Sequence, residues 1–234
     1  MKSRRPGLIQ IFLFLPFFLT VAANAYAERV PAAFGDQGAE RWLGSLIKFP
    51  EIEGKVSVML NCISRVQTNG KMRKSGCYVE NQFDSPFAAA VQKAAKKTRM
   101  TPAVIDGKKR EIYLQFRVEF IQDDDQREIL LYLNPAEPEN LQEYGMHHIA
   151  AQRTIGKEAW MKVCPQRAGF VIVARAHVSM EGVGSNVSLH HGAGIVPTGP
   201  CQQAIIDAII TSDFAPTTVD GVAVPSTFVE PFGN

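Results

Sequence analysis

The stretch Arg99–Phe120, RMTPAVIDGKKREIYLQFRVEF, decides the fold. Pro102 ends any helix before it, because its ring lacks an amide hydrogen and biases the preceding residue toward extended backbone. Asp106-Gly107 is a turn dipeptide in which glycine supplies a positive φ. From there Ile112, Leu114, Phe116, Val118 and Phe120 alternate with Tyr113, Gln115, Arg117 and Glu119, the period-two pattern of a strand burying one face. The order is helix, turn, strand. Asp213–Phe232, DFAPTTVDGVAVPSTFVEPF, repeats the layout, with Pro216 and Asp220-Gly221 spaced as Pro102 and Asp106-Gly107 are. The chain reads as two copies of one unit.

Upstream of each stretch the landmarks also recur. Pro50–Val56 and Pro165–Val171 share a P-x-x-x-G-x-V skeleton. After the first, Val56, Val58, Leu60 and Cys62 alternate as a strand, Asn69-Gly70 marks a hairpin turn, and Lys71–Val79 returns. After the second, Phe170–Val178 turns near Glu181-Gly182 and returns through Val187 and Leu189. Asp84-Ser85-Pro86 then starts a helix with capping oxygens and a proline in the first turn. Phe87, Val91, Ala94 and Ala95 lie on one side of it, and Gln92, Lys93, Lys96 and Lys97 on the other. Pro200 opens the second helix, with Ala204, Ile205, Ala208 and Ile209 inward. Each unit is thus β-β-α-β, and the fold class is α+β: two small antiparallel sheets, each with a helix on one face. Between them, Asp123–Asp125 is a charged turn and Arg127–Asn134 an added strand beside Ile112–Phe120. Ala39–Lys48, Leu141–Arg153 and Lys157–Val163 read as helical. The expected organisation is a leader over 1–27, a first unit over 28–134, a helical linker over 135–163 and a second unit over 164–234.

The leader has a basic start (Lys2, Arg4, Arg5), an apolar run Leu8–Ala22 and the small-residue ending Ala25-Tyr26-Ala27, which predicts a signal peptide cleaved before Glu28. An uncleaved anchor is the alternative. Cleavage removes three of the 25 basic residues and none of the 23 acidic ones, so the formal charge moves from +2 to −1. Basicity therefore gives no argument for nucleic acid. Cys62, Cys77, Cys164 and Cys201 all lie in the exported part, where disulfides persist. Cys62 and Cys77 flank Asn69-Gly70 symmetrically and face each other across a two-residue hairpin. They form a bridge or a pair of buried thiols, and a first bridge leaves Cys164 and Cys201 to pair. With no C-x-x-C, the reading of all four is structural.

The order of the P-x-x-x-G-x-V skeleton, glycine-turn hairpin, proline-started helix, Arg99-Met100-Thr101-Pro102-Ala103, Asp106-Gly107-Lys108 and alternating strand resembles the C-terminal domain of TonB proteins. The second unit matches in layout, with Asp213 in place of Arg99 and Thr217 in place of Ala103. The resemblance implies a three-stranded antiparallel sheet with a helix across it, and the gripping of a short segment of an outer-membrane partner by strand addition. Members that transduce energy carry an N-terminal anchor with a functional His and a long Pro-rich spacer. Here Leu8–Ala22 has no His, and only residues 28–49 separate the leader from Pro50, where the matched skeleton begins.

The expectation is a periplasmic, non-enzymatic protein-binding module with no cofactor and no membrane span after cleavage. The alternatives are an anchored energy transducer, or a metal carrier using His147, His148, His177, His190 and His191. Against metal, adjacent His147-His148 and His190-His191 point to opposite faces if extended, and counting about Glu181-Gly182 sets His177 opposite Asn186. Residues 71–110 hold ten basic and three acidic residues, a net +7, whereas 134–234 is at −4. Lys93, Lys96, Lys97, Arg99, Lys108, Lys109 and Arg110 are therefore the candidate partner-binding residues, suited to an acidic partner.

Overall fold

The structure, a computed structural model, describes residues 28–35, 41–78, 85–156, 159–164 and 169–233. The expected leader, Asp84 and the Pro165–Ala168 part of the second skeleton lie outside the described residues. The chain begins with two short extended pieces, β1 (Arg29–Val30) and β2 (Ala33–Phe34), and a single helical turn, α1 (Leu43–Leu46). The helix expected over Ala39–Lys48 is shorter because Trp42 and Ile47 are extended and no side chain caps its start. A helix this short depends on packing, supplied by buried Leu43.

Next come β3 (Val56–Val66), β4 (Met72–Tyr78) and α2 (Pro86–Ala95). Ser85 starts α2: its Oγ accepts from the Ala88 amide at 3.2 Å, with Pro86 in the first turn. The backbone then turns twice through β5 (Met100–Thr101), β6 (Ala103–Ile105) and β7 (Lys108–Arg110) before the long strand β8 (Ile112–Asp123) and its return β9 (Gln126–Tyr132). The sheet is antiparallel in the order β4-β3-β8-β9. The alternating residues of β8 do what their period requires. Leu114, Phe116, Val118 and Phe120 are buried with Leu60, Cys62 and Val66 of β3 against Phe87, Val91, Ala94 and Ala95 of α2. Each such large side chain contributes about 1.5–3 kcal/mol of burial.

The second half runs α3 (Pro138–Tyr144), β10 (Gln152–Arg153), α4 (Trp160–Val163), β11 (Phe170–Val178), β12 (Gly184–Gly194), α5 (Gly199–Ile210), β13 (Phe214–Ala215), β14 (Thr217–Val219), β15 (Val222–Val224) and β16 (Ser226–Gly233). Its sheet is β12-β11-β16, with Ile205 and Ile209 of α5 packed on Ile172, Ala174 and Phe228. The mixture of antiparallel sheets and segregated helices is α+β.

Both hairpins close through three-residue loops rather than two. Gln67 and Ser179 amides bond the Lys71 and Val183 carbonyls at 3.0 Å, and Gly70 (φ 77) and Gly182 (φ 73) take the left-handed position. A second left-handed residue follows four positions on, Lys74 (φ 50) and Asn186 (φ 52), as a bulge. The bulge at Lys74 restores the register that the longer loop shifts, so Cys62 still faces Cys77. In the other hairpin the longer loop itself sets His177 opposite Ser185, not Asn186, and the bulge lies beyond that pair. Further along, Asp106-Gly107 and Asp220-Gly221 are left-handed as well.

The segment expected as a helical linker is only partly helical. The helix read over Leu141–Arg153 starts earlier, at Pro138, and stops at Tyr144, because Gly145 adopts φ 73. Beyond a turn at Met146-His147 the chain runs into extended pairings. Ile149 bridges Thr218, and Gln152–Arg153 pairs with Phe214–Ala215. Val30 pairs with Val104 and Ala33–Phe34 with Met100–Thr101 in the same way. Each corner after a main helix is therefore laced by an extended arm from upstream. Of the helix read over Lys157–Val163, Trp160–Val163 is helical.

Candidate functional site

The two halves meet through side chains that the sequence did not single out. Gln152 bonds both backbone groups of Ala32, accepting from its amide at 2.7 Å and donating to its carbonyl at 2.8 Å. Arg153, 2% exposed, forms a two-pronged pair with Glu230 at 2.6 and 2.9 Å, and its guanidinium lies over the rings of Tyr113 and Phe232. Arg29 donates to the Gly182 and Phe214 carbonyls and pairs with Asp106 and Asp213. A 430 Å³ cavity lies at this junction, with Lys109, Arg110, Glu111, Arg153, Ser212 and Asp213 among its lining. Its charges are of both signs, with Glu111, Arg153 and Asp213 already paired to Arg65, Glu230 and Arg29, so it favours no one ligand class.

All four cysteines form disulfides, Cys62–Cys77 and Cys164–Cys201. The first ties facing strands of a hairpin. The second ties the end of α4 to the start of α5, so the bridges are not equivalent in the two halves. Bridges of this kind persist outside the cytoplasm, and no described helix is long and apolar enough to cross a membrane.

The basic candidates do not form one patch. Lys93 and Lys97 border a trough on the outer face of α2, whereas Lys109 and Arg110 line the junction cavity. Lys96 is exposed at the end of α2, Lys108 on β7, and Arg99 is half-buried in a bridge to Lys71. The histidines are scattered too. His147, His177, His190 and His191 are exposed, and His148 is 2% exposed. Among the described residues no group of three or more His, Cys, Asp or Glu is placed to hold a metal.

Sheet edges are the remaining surfaces suited to binding. The outer edge of β8 is filled by β9. That of β16 is capped: Asn140 binds both the amide and the carbonyl of Thr227, Gln115 donates to the Val229 carbonyl, and Pro231 has no amide to offer. Of the outermost strands, β4 carries Arg73 and Lys74 and β9 carries Arg127 and Glu128, charges that discourage pairing. The outermost strand β12 holds no Lys, Arg, Asp or Glu in its 11 residues. Exposed Met180 and Val183 precede it and exposed Ile195 and Val196 follow it.

The ladder fixes which of its backbone groups are open. Pro231, opposite Val173, cannot donate to β11, and Thr227 is turned to Asn140. Residues 173 and 175 of β11 therefore direct their backbone groups to His190 and Ser188, their partners on β12. Leu189 and His191 then turn their amides and carbonyls outward, and no strand pairs with them among the described residues. No known protein family, curated protein or solved structure matched the chain.

Proposed function

We propose that the exported chain is a non-enzymatic protein-binding module of the periplasm, which takes up an extended segment of a protein partner along β12. The observation that carries this reading is the open, uncharged outer edge of β12, flanked by exposed apolar residues while β16 is capped and β4 and β9 bear charges. Backbone bonds from Leu189 and His191 supply affinity, and the flanking apolar side chains supply selection, as in strand addition generally. The likeness of the chain order to TonB C-terminal domains supports the same mode of binding. The edge differs, because the last strand of each β-β-α-β run is already covered here, by β9 or by Asn140 and Gln115.

A photo-crosslinking residue at Ser188, compared with one at Arg73 on β4 and one at Glu128 on β9, tests the assignment in intact cells. A discrete adduct from Ser188 is expected. It should disappear in His190→Lys and in His191→Pro, both at exposed positions, the proline removing only an outward amide. Adducts from β4 or β9 alone, or an adduct at Ser188 that both variants leave unchanged, would overturn the reading.

A further inference from the structure

A trough of about 300 Å³ runs between the α1 region and the outer face of α2, away from both the junction and β12. Its floor is apolar: Leu46, Phe49, Pro50, Ala89, Ala90 and Ala94. The alanines of α2 create it, since a larger side chain at 90 or 94 would fill the space. Among the described residues its polar lining is of one charge. Lys93 rises from the last turn of α2 and Lys97 from the turn just past its end, Lys48 stands on the other wall, all three are exposed, and among the described residues no acidic one lines the trough. Among the described residues none of the three forms an ion pair. Three ammonium groups of like charge around an apolar floor repel one another until an anion comes between them.

We infer that this trough is a second binding site, for an acidic peptide segment in which one apolar residue is bracketed by carboxylates. The apolar side chain enters the floor between Phe49 and Ala90, and the carboxylates stay at the rim, within reach of the long lysine stems. The spacing fits an extended chain. Four residues of helical rise, about 6 Å, separate Lys93 from Lys97 just past the end of α2, and residues two apart on an extended segment are separated by about 6.6 Å. An anionic lipid surface, the other partner that lysines serve, needs a broad convex basic face. A narrow apolar slot at the low end of ligand-pocket volumes is shaped for one inserted side chain.

Fluorescence anisotropy of a labelled Asp-Asp-Phe-Asp-Asp peptide with the full exported chain tests the site. Binding is expected to weaken with salt, to be lost when asparagines replace the aspartates, and to fall about tenfold or more in Lys93→Glu/Lys97→Glu, which turns attraction into repulsion. Ala90→Trp, which fills the floor without altering charge, should abolish it as well. His191→Pro should leave it unchanged, so failure at β12 and failure here are separable. Equal binding of the asparagine peptide, indifference to Ala90→Trp, or retention on phosphatidylglycerol vesicles with no peptide binding would each overturn the inference.

Discussion

His148 is the residue with the least comfortable surroundings. Its Nδ1 hydrogen donates to the Gly145 carbonyl at 2.7 Å, while its Nε2 is buried with no hydrogen-bond partner among the described residues. Burial holds its pKa below the usual histidine value, opposed by the Gly145 bond and helped by the nearby Arg117 charge. Arg117 is itself desolvated, held by the Asn134 side chain and carbonyl and by the face of Tyr132. The unfolded chain therefore binds a proton at His148 more readily than the folded one. Its contribution to stability is complete above the ordinary value of 6.5 and is lost as pH falls below it. The urea midpoint should drop between about pH 7 and pH 5, and His148→Gln should flatten that slope. An identical slope in the variant would assign the loss to other groups. Nothing in the primary structure distinguishes His148 from His147 beside it, because burial is decided by residues distant in the chain.

At the level of elements, the two hairpin loops give the sharpest test of equivalence. A Cβ on Gly70 would stand 2.1 Å from the Met100 carbonyl oxygen, and one on Gly182 at 2.1 Å from that of Phe214. Gly107 has a similar positive φ, but nothing lies within 4 Å of its added Cβ. Gly70→Ala and Gly182→Ala should each cost about 2 kcal/mol or more, from left-handed strain plus the clash, and Gly107→Ala only about 1 kcal/mol. Thermal unfolding of the three variants measures this, and equal losses at all three positions would refute the close-approach account. The main strands and helices were legible because their signals are local: alternation in Ile112–Phe120, Ser85-Pro86 before α2, Pro200 in α5. The three-residue loops are hidden because Asn69-Gly70 also suits a two-residue turn, and the bulge at Lys74 lets the longer loop keep Cys62 facing Cys77. The arms were invisible. Two-residue ladders such as Gln152–Arg153 with Phe214–Ala215 have no period, and Arg153 looks helical until Glu230 is placed beside it. The absence of charge in β12 was readable, but its position at an open edge depends on strand order.

For the molecule as a whole, Arg153 bears on whether it behaves as one body or two: its pair with Glu230 stiffens the second half, and its guanidinium reaches across to the Tyr113 ring of the first. Removing one partner of a buried ion pair leaves the other charge uncompensated, at a cost of about 3–5 kcal/mol. The two tryptophans report separately, Trp42 from the first half and Trp160 from the second. In the wild type, Trp42→Phe and Trp160→Phe variants should give coincident urea transitions. Adding Arg153→Ala should separate them, with the Trp160 signal lost first because Glu230 belongs to that half. Coincident curves in the Arg153→Ala background would show that the remaining links, Gln152 to Ala32, Arg29 to Gly182 and Phe214, Gln115 to Val229 and the Ile112–Thr154 bridge, hold the halves together without it. The arm that carries Gln152 and Arg153 also bears on gene shuffling. A swap that cuts at Cys164 would strand the lacing of one half on its neighbour's fragment, whereas the natural seam lies at the bend of Gly145, where a transplanted C-terminal piece would bring its own clasp.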